Sequence, residues 1–286
     1  MKLIRNKKIA VQLVSIACVI LIITPVCSAG IKADNNKMDI KEKFKNLKST
    51  WGGTEFWALL IGVGVYENHP DEDRPSMLRA VDDFREVLLN SPLWSNDHIH
   101  TLKGEKATMR NLIKELFWLI RSDDKNDMTL IYITTHGGPL KNKDGENWDI
   151  IPRDEDDGAD EILMMTEGFE QWYGKVWDDL LNFFINLLQS MGVCIIIDSC
   201  NSGGFDDLKS PGRVVLMSCK EDELSYGSVF TKCLIDGFWG EADLHGNGDG
   251  VNSAEEAFDY AISQMGDIQH PVIHDDYTME FPITFP

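Results

Sequence analysis

Two apolar stretches decide the fold of this chain: Thr129-Leu-Ile-Tyr-Ile-Thr-Thr-His136 and Val193-Cys-Ile-Ile-Ile-Asp198-Ser-Cys200. Each is rich in β-branched residues without polar alternation, which predicts strands of a parallel sheet that are buried on both faces. Ligands of open α/β sheets lie beyond the carboxyl ends of the strands. We therefore expect His136 and Cys200 at one edge of one sheet, with following glycines that let a substrate approach the backbone. A thiol beside an imidazole indicates a cysteine nucleophile with a histidine base.

Strand and helix patterns alternate along most of the remaining chain. Apolar runs predict strands at 56–65, 98–102, 129–135, 193–197 and 213–218. Amphipathic spacing predicts helices at 76–89, 108–120, 177–188, 229–239 and 254–265. The long acidic segment 141–168 is poor in apolar residues and is predicted to be a surface loop. Alternation of this kind predicts an α/β fold with a doubly wound, mainly parallel central sheet.

The N-terminus has the features of a signal peptide. A short basic stretch is followed by an apolar stretch at 9–26 and by the small residues Cys27-Ser28-Ala29. We therefore predict a signal peptide at 1–29, a polar linker at 30–52, a folded domain at 53–286, and secretion. An apolar stretch of about 18 residues can also span a bilayer, so an uncleaved membrane anchor is the alternative.

The composition limits the partners and the redox chemistry. The chain has 47 acidic and 27 basic residues and a net charge of -20, so its surface repels nucleic acid and anionic membranes. We expect membrane contact only through a retained N-terminal segment. Two of the six cysteines lie in the predicted signal peptide, and three others, Cys194, Cys219 and Cys233, lie in apolar stretches as small buried residues. Cys200 is thus the thiol with a reason to be reactive.

The motifs around His136 and Cys200 resemble those of the caspase/legumain-like cysteine peptidases, which include caspases, metacaspases, legumains and prokaryotic relatives. One apolar strand ends in His136-Gly137, and the other ends in Asp198-x-Cys200-x-Ser202-Gly203. The resemblance covers about 56–261 and implies a three-layer α-β-α sandwich around the central sheet. It also implies that Cys200 is the nucleophile, that His136 transfers protons, and that the backbone N–H groups of Gly137 and Cys200 form an oxyanion hole.

The resemblance also suggests residues for substrate selection. Asp198 matches the family position that lines the pocket for P1, the residue before the cleaved bond, and Ser218 matches a neighbouring pocket wall. A carboxylate at the pocket base pairs well with arginine or lysine, so we expect a basic P1 residue, with asparagine as the alternative. Arg79 precedes an Asp-Asp pair much as a pocket arginine does in caspases and legumains. If Arg79 entered the pocket, an acidic or asparagine P1 residue would be favoured instead.

Two acidic segments are candidate calcium sites, and no organic cofactor is expected. Segment 243–256 resembles an EF-hand loop in which Asp243, Asn247, Asp249 and Glu256 supply oxygen ligands. Its first loop position is His245, a poor Ca²⁺ ligand, so Asp243 has to take its place. Glu256 could instead form a helix-capping box with Ser253. The acidic run 154–161 is the second candidate, with a solvated surface loop as the alternative.

Together these observations predict an exported cysteine endopeptidase that acts through a Cys200–His136 dyad and a thioacyl-enzyme intermediate. Its partners would be protein or peptide substrates, and calcium would have a regulatory or structural role. One alternative is an inactive pseudo-peptidase that serves as a calcium-dependent binding or scaffold protein. Another is a legumain-like transpeptidase. The sequence leaves the oligomeric state, the physiological substrate and any need for autoprocessing open.

Overall fold

The computed structural model describes residues 53–150, 155 and 157–285. Its strands, in chain order, are β1 (Phe56–Gly62), β2 (Ile99–Lys103), β3 (Met128–Thr134), β4 (Gly137–Pro139), β5 (Glu161–Met164), β6 (Lys175–Trp177), β7 (Gly192–Asp198), β8 (Arg213–Met217), β9 (Asn252–Ser253), β10 (Val272–Asp275) and β11 (Pro282–Thr284). Its α-helices are α1 (Pro75–Asn90), α2 (Met109–Ser122), α3 (Asp178–Ile185), α4 (Val229–Asp236), α5 (Ala242–His245) and α6 (Ala254–Met265).

The central sheet has six strands in the order β10-β8-β7-β3-β1-β2. All neighbours are parallel except β10, which pairs antiparallel with β8. Every residue of β3 and β7 is buried, because helices cover both faces of the sheet. The predicted α/β fold with a mainly parallel central sheet is therefore confirmed.

Because successive side chains of a strand point to opposite faces of the sheet, the two layers of helices contact alternate residues of the strands. On one face, Leu112 and Leu116 of α2 and Leu181 of α3 join Ile131 and Ile195 in one hydrophobic core. On the other face, the Phe84 ring of α1 lies 4.8 Å from the Tyr132 ring, and the Tyr132 hydroxyl bonds Thr231 of α4 at 2.9 Å. This arrangement gives the three layers that the resemblance implied.

The helix boundaries largely follow the sequence signals. Thr108 caps α2 by accepting a hydrogen bond from the Asn111 backbone N–H at 3.3 Å. Ser253 and Glu256 form both bonds of a capping box at the start of α6. Predicted strand 56–65 is too long, because β1 ends at Gly62 and the chain turns at Gly64, where φ is 58°.

The prediction of a surface loop across 141–168 is wrong for its second half. Residues 161–164 form β5, which pairs antiparallel with β4 and β6 in a second, three-stranded sheet. Asp160 and Glu161 are buried at its start, although acidic residues are usually exposed. The sequence also did not predict β10 or the small β9–β11 sheet.

The predicted signal peptide at 1–29 and the linker at 30–52 lie outside the described residues. Within the described part of the chain, no helix combines the length and the apolar character that crossing a membrane requires.

Candidate active site

The predicted nucleophile and base lie at matching positions beyond two paired strands. Thr134 and Asp198 are direct partners at the carboxyl ends of β3 and β7, and His136 and Cys200 each follow two residues later. The Thr135 N–H also donates to the Asp198 carbonyl at 3.3 Å. The structure thus brings His136 and Cys200 to one edge of the sheet, as the sequence predicted.

Gly137 joins the two strand ends by close backbone contact. A Cβ atom at this position would lie 2.6 Å from the Cys200 carbonyl oxygen and 2.8 Å from the Ser199 hydroxyl oxygen. Real Cβ atoms do not approach other heavy atoms so closely, so only glycine fits here. The backbone N–H groups of Gly137 and Cys200 therefore belong to adjoining segments, as a shared oxyanion site requires.

Cys200 is partly exposed and lies beside a loop that follows β8. Its thiol is 3.8 Å from the Ser225 carbonyl oxygen, and the next residue, Asn201, donates its N–H to the Glu223 carbonyl at 2.9 Å. Asn201 has a φ of 60°, a left-handed conformation that asparagine tolerates better than most residues. Burial raises the pKa of the Cys200 thiol, so the free thiol is mainly protonated at neutral pH.

His136 is held at its ring and at its backbone. Its Nε2 lies 2.9 Å from the Glu72 carbonyl oxygen, which can only accept, so Nε2 carries the proton and Nδ1 is left as the acceptor. The Glu72 carboxylate is 3.6 Å from Nε2. The His136 backbone N–H donates to the Tyr66 hydroxyl at 3.0 Å, and the rings of Tyr66 and Phe169 lie 5.0 Å and 5.8 Å from the imidazole.

Burial lowers the pKa of His136 below its ordinary value of 6.5. The imidazole is therefore mainly neutral at neutral pH and can accept a proton. The sequence did not point to Glu72, because any residue supplies a backbone carbonyl and only its position makes this one useful.

Asp198 is almost fully buried at the end of β7. Its Oδ1 accepts a hydrogen bond from the Ser225 hydroxyl at 2.7 Å, and its Oδ2 accepts one from the Thr231 hydroxyl at 2.6 Å. The predicted P1-binding acid is thus adjacent to the loop that contacts the Cys200 thiol. Its contact with a substrate stays a prediction.

The other two predicted pocket residues lie in different surroundings. Ser218 is fully buried, and its hydroxyl donates to the Ser199 carbonyl at 3.1 Å, so the side chain supports the segment before Cys200. Arg79 is exposed on α1. Burial lowers the pKa of His136 and raises that of Cys200, and the positive charge of Arg74, which the sequence did not single out, adds to the first shift and partly offsets the second.

Comparison with known proteins agrees with this geometry. A family model described as the metacaspase, peptidase C14 domain matches residues 58–209, which include His136 and Cys200. The chain belongs to this family. Metacaspase-1A of Aspergillus oryzae is 32% identical over 158 residues, which are 53% of this chain and 35% of that protein. Metacaspase-1 of Saccharomyces cerevisiae strain S288c is 27% identical over 158 residues, or 34% of its length.

These metacaspases are longer than the segment they share with the chain, which spans about a third of their length. The crystal structure of a Geobacter sulfurreducens protein superposes with a TM-score of 0.57 and 16% identity. The superposition covers 81% of this chain and 99% of that one, and it shows a common fold alone. Family membership makes cysteine-type peptidase chemistry the expected activity of this domain.

A buried carboxylate cluster lies on the second sheet of this metacaspase domain. Oxygen atoms of Glu155, Glu161 and Asp178 lie within 4.8 Å of one another, as do those of Asp160, Asp178 and Asp179. Glu161 Oε2 and Asp178 Oδ2 are buried without a hydrogen-bond partner among the described residues. Burial, reinforced by neighbouring carboxylates, raises the pKa of Glu161 to about 9 and that of Asp178 to about 8.

The cluster fits a hard divalent cation. Its donors are all carboxylate oxygens, the ligands that Ca²⁺ prefers, and two of them, Glu161 Oε2 and Asp178 Oδ2, have no hydrogen-bond partner in the described part of the chain. Glu161 also packs directly against the backbone of Gly204, four residues after Cys200, so the cluster adjoins the segment that carries the thiol. The sequence located this candidate only loosely, in the acidic run 154–161, because it did not predict that Asp178 would pack against that run.

The EF-hand-like loop 243–256 lies outside the matched family region, and its predicted calcium ligands accept hydrogen bonds from backbone N–H groups of the same loop. Asp243, Asn247, Asp249 and Glu256 each accept a backbone N–H, from Gly250, Asp249, Val251 and Asn247 respectively, at 2.8–2.9 Å. The Asn247 amide also donates to the Glu280 carboxylate at 2.9 Å. Among the described residues, the three-carboxylate groups found do not include this loop. Calcium binding there stays a prediction.

Proposed function

We propose that this protein is an exported cysteine endopeptidase that cleaves peptide bonds after arginine or lysine, with Cys200 as nucleophile and His136 as proton-transfer partner. The observation that carries the proposal is the matched placement of the two residues. Each follows one of two directly paired strand ends, and Gly137 packs against the Cys200 carbonyl between them.

The ionisation of the pair supports a reaction that starts from a neutral thiol and a neutral imidazole. As Sγ attacks the substrate carbonyl carbon, its proton passes to Nδ1 of His136, and an imidazolium forms. The Glu72 carbonyl accepts the Nε2–H bond, and the Glu72 carboxylate 3.6 Å away favours that positive charge. The imidazolium then gives its proton to the departing amine, which leaves a thioacyl enzyme that water hydrolyses.

The developing oxyanion needs donors that are already in place. The backbone N–H groups of Gly137 and Cys200 are the proposed donors, because the two residues touch through the backbone. This contact fixes the donors relative to each other before a substrate binds. Such preorganisation lowers the activation barrier without any reorganisation during the reaction.

Charge supports the choice of a basic P1 residue. Asp198 is the acid nearest the nucleophile in sequence, and the loop beside Cys200 carries Glu221, Asp222 and Glu223. Glu72 adds a further carboxylate beside His136. A guanidinium or ammonium group would gain charge-assisted hydrogen bonds in this setting, whereas asparagine, the alternative P1 residue, would gain neutral ones.

Calcium is the proposed cofactor, held by the cluster of Glu155, Glu161 and Asp178 with Asp160 and Asp179. When bound, the ion would replace the protons that Glu161 and Asp178, with their raised pKa values, otherwise retain at neutral pH. Glu161 would then be fixed against Gly204, and the segment after Cys200 would be ordered. The loop 243–256 is proposed as a second, separate calcium site through Asp243, Asn247, Asp249 and Glu256.

The direct test is cleavage of fluorogenic peptides that differ only in having arginine, lysine or asparagine at P1, with and without Ca²⁺. We expect Cys200→Ala and His136→Ala to abolish turnover, while Cys233→Ala, which removes a buried thiol of α4, keeps it. Activity that survives Cys200→Ala would rule out catalysis by the Cys200–His136 dyad. Calcium-dependent partner capture without turnover or labelling of Cys200 would favour a scaffold. Transfer of the acyl group to an added amine would indicate a transpeptidase.

Export is tested by N-terminal sequencing of protein recovered from the culture medium and from membranes. A mature protein that begins at Gly30 is the expected result of cleavage after Ala29. Intact protein found only in membranes would instead support an uncleaved anchor.

A further inference from the structure

Gln269 is a buried amide that holds the loop beside the proposed nucleophile. Its side chain is 2% exposed, and each of its polar atoms has a partner. The Nε2 group donates to the Ser218 carbonyl at 2.6 Å and to the Ser225 hydroxyl at 3.4 Å. The Oε1 atom accepts the Tyr226 backbone N–H at 2.9 Å. The residue lies beyond the matched family region and far from Cys200 in sequence.

The Gln269 amide reinforces the direction of the Ser225 hydroxyl, which donates to the acceptor-only carboxylate oxygen of Asp198. An amide NH₂ group can only donate, so the Ser225 oxygen accepts from Gln269 and its own proton is left for another partner. That partner is Asp198 Oδ1, 2.7 Å away. A directed relay therefore runs from Gln269 through Ser225 to the predicted P1-binding acid.

Ser225 also connects the relay to the nucleophile, because its carbonyl oxygen is 3.8 Å from the Cys200 thiol. The next residue after Gln269 secures the other end of the loop. The His270 backbone N–H donates to Glu223 at 3.1 Å, and its ring Nδ1 bonds the same carboxylate at 2.6 Å. The Glu223 carbonyl in turn accepts the Asn201 N–H. The loop 223–226 is thus held between Gln269-His270 and the segment that carries Cys200.

We infer that Gln269 is a positioning residue for P1 selection: through Ser225 it orients Asp198 toward a basic P1 side chain. This inference rests on the proposed function. Without the Gln269 bonds to Ser225 and to the Tyr226 N–H, the loop that carries the Ser225 hydroxyl is less firmly fixed, and the hydrogen bond to Asp198 Oδ1 weakens. We therefore expect loss of the Gln269 bonds to weaken recognition of the charged P1 group more than it slows attack by the thiol.

The test compares two peptides that differ only at P1, one with arginine and one with citrulline, which has the same shape without the charge. Gln269→Met keeps the volume of the side chain and removes its hydrogen bonds. We expect it to lower the arginine-to-citrulline ratio of kcat/KM about tenfold, the effect of one hydrogen bond to a charged group. Ser225→Ala should give the same loss, and the double variant should lose no more than either single one. Gln264→Met, at an exposed glutamine of α6, is the matched control and should keep the wild-type ratio.

A merely structural role would lower both rates together and leave the ratio unchanged, and that result for Gln269→Met would overturn the inference. The inference would also be overturned if the double variant lowered the arginine-to-citrulline ratio by the product of the two single effects. If Gln269→Met does not fold, the test rests on Ser225→Ala, which lies in a half-exposed loop. A wild-type arginine-to-citrulline ratio of kcat/KM in Ser225→Ala would then contradict the relay. A wild-type protein without Cys200-dependent cleavage after arginine contradicts the proposed function itself, so the two failures are distinguishable.

Discussion

Tyr66 fixes the backbone of His136. The His136 N–H donates to the Tyr66 hydroxyl oxygen at 3.0 Å, and the two rings lie 5.0 Å apart. The same hydroxyl bonds Thr135 Oγ1 at 2.9 Å, and burial raises the pKa of Tyr66 to about 12. A residue that follows β1 therefore positions the proposed base at the end of the neighbouring β3.

Tyr66→Phe should impair catalysis more than substrate binding. The substitution keeps the ring and leaves the partly buried His136 N–H without its acceptor, which costs about 1–3 kcal/mol. We expect a lower free energy of unfolding in urea and a lower kcat, with KM little changed. Tyr277→Phe, at a tyrosine that contacts Met128 at the start of β3, is the control and should retain kcat. Wild-type kcat in Tyr66→Phe would show that the bond does not position the base.

The reactivity of Cys200 toward iodoacetamide should increase steadily with pH. Burial raises the pKa of the thiol and lowers that of His136, so neither group is charged in the free enzyme at neutral pH. The thiolate that reacts therefore forms only as the pH approaches a value above the ordinary 9.0 of cysteine. A reactive plateau between about pH 5 and 7, typical of a thiolate–imidazolium pair, would contradict this assignment.

The same shifts predict where peptidase activity is lost in acid. A lowered pKa means that His136 stays neutral, and able to accept a proton, below its ordinary value of 6.5. The acid limb of kcat/KM should therefore fall below pH 6.5, when the imidazole becomes protonated. The pH profile of kcat/KM measures this directly, because it reports the free enzyme. An acid limb above 6.5 would require a group other than this histidine.

Calcium should stabilise the protein through Asp178. An ion that binds the folded state alone raises the melting temperature with its concentration, and a chelator reverses the effect. We expect Asp178→Asn to remove most of this shift and the calcium dependence of turnover. Asp249→Asn is the matched acid-to-amide change in the EF-hand-like loop 243–256. A calcium shift abolished by Asp249→Asn and unaffected by Asp178→Asn would assign the functional ion to that loop instead.

The sequence predicted the parts of the fold that depend on local patterns. Continuous runs of β-branched residues identified β3 and β7. Because His136 and Cys200 each follow one of these runs, the sequence placed both residues at one edge of the sheet. It did not predict β5, because four residues after an acidic run carry too little apolar signal. Nor could it predict the Glu72 carbonyl beside His136 or Gln269 beside Ser225, since both contacts join segments distant in the chain. The placement of His136 and Cys200 at one edge of the sheet was thus predictable from the sequence, whereas the contacts of Glu72 and Gln269 were not.

Gly137 and Gly138 offer the sharpest test of the proposed oxyanion site, because they are neighbours with different surroundings. A methyl group at 137 would lie 2.6 Å from the Cys200 carbonyl oxygen, whereas at 138 it would meet only Asn201 Oδ1 at 3.9 Å. Gly137→Ala must therefore push the ends of β3 and β7 apart and displace both proposed oxyanion donors. We expect kcat to fall at least a hundredfold, the usual effect of removing one such donor. Gly138→Ala should stay within about threefold of wild type. Circular dichroism and melting temperature confirm that each variant folds, and equal kcat values for the two would rule out a Gly137–Cys200 oxyanion site.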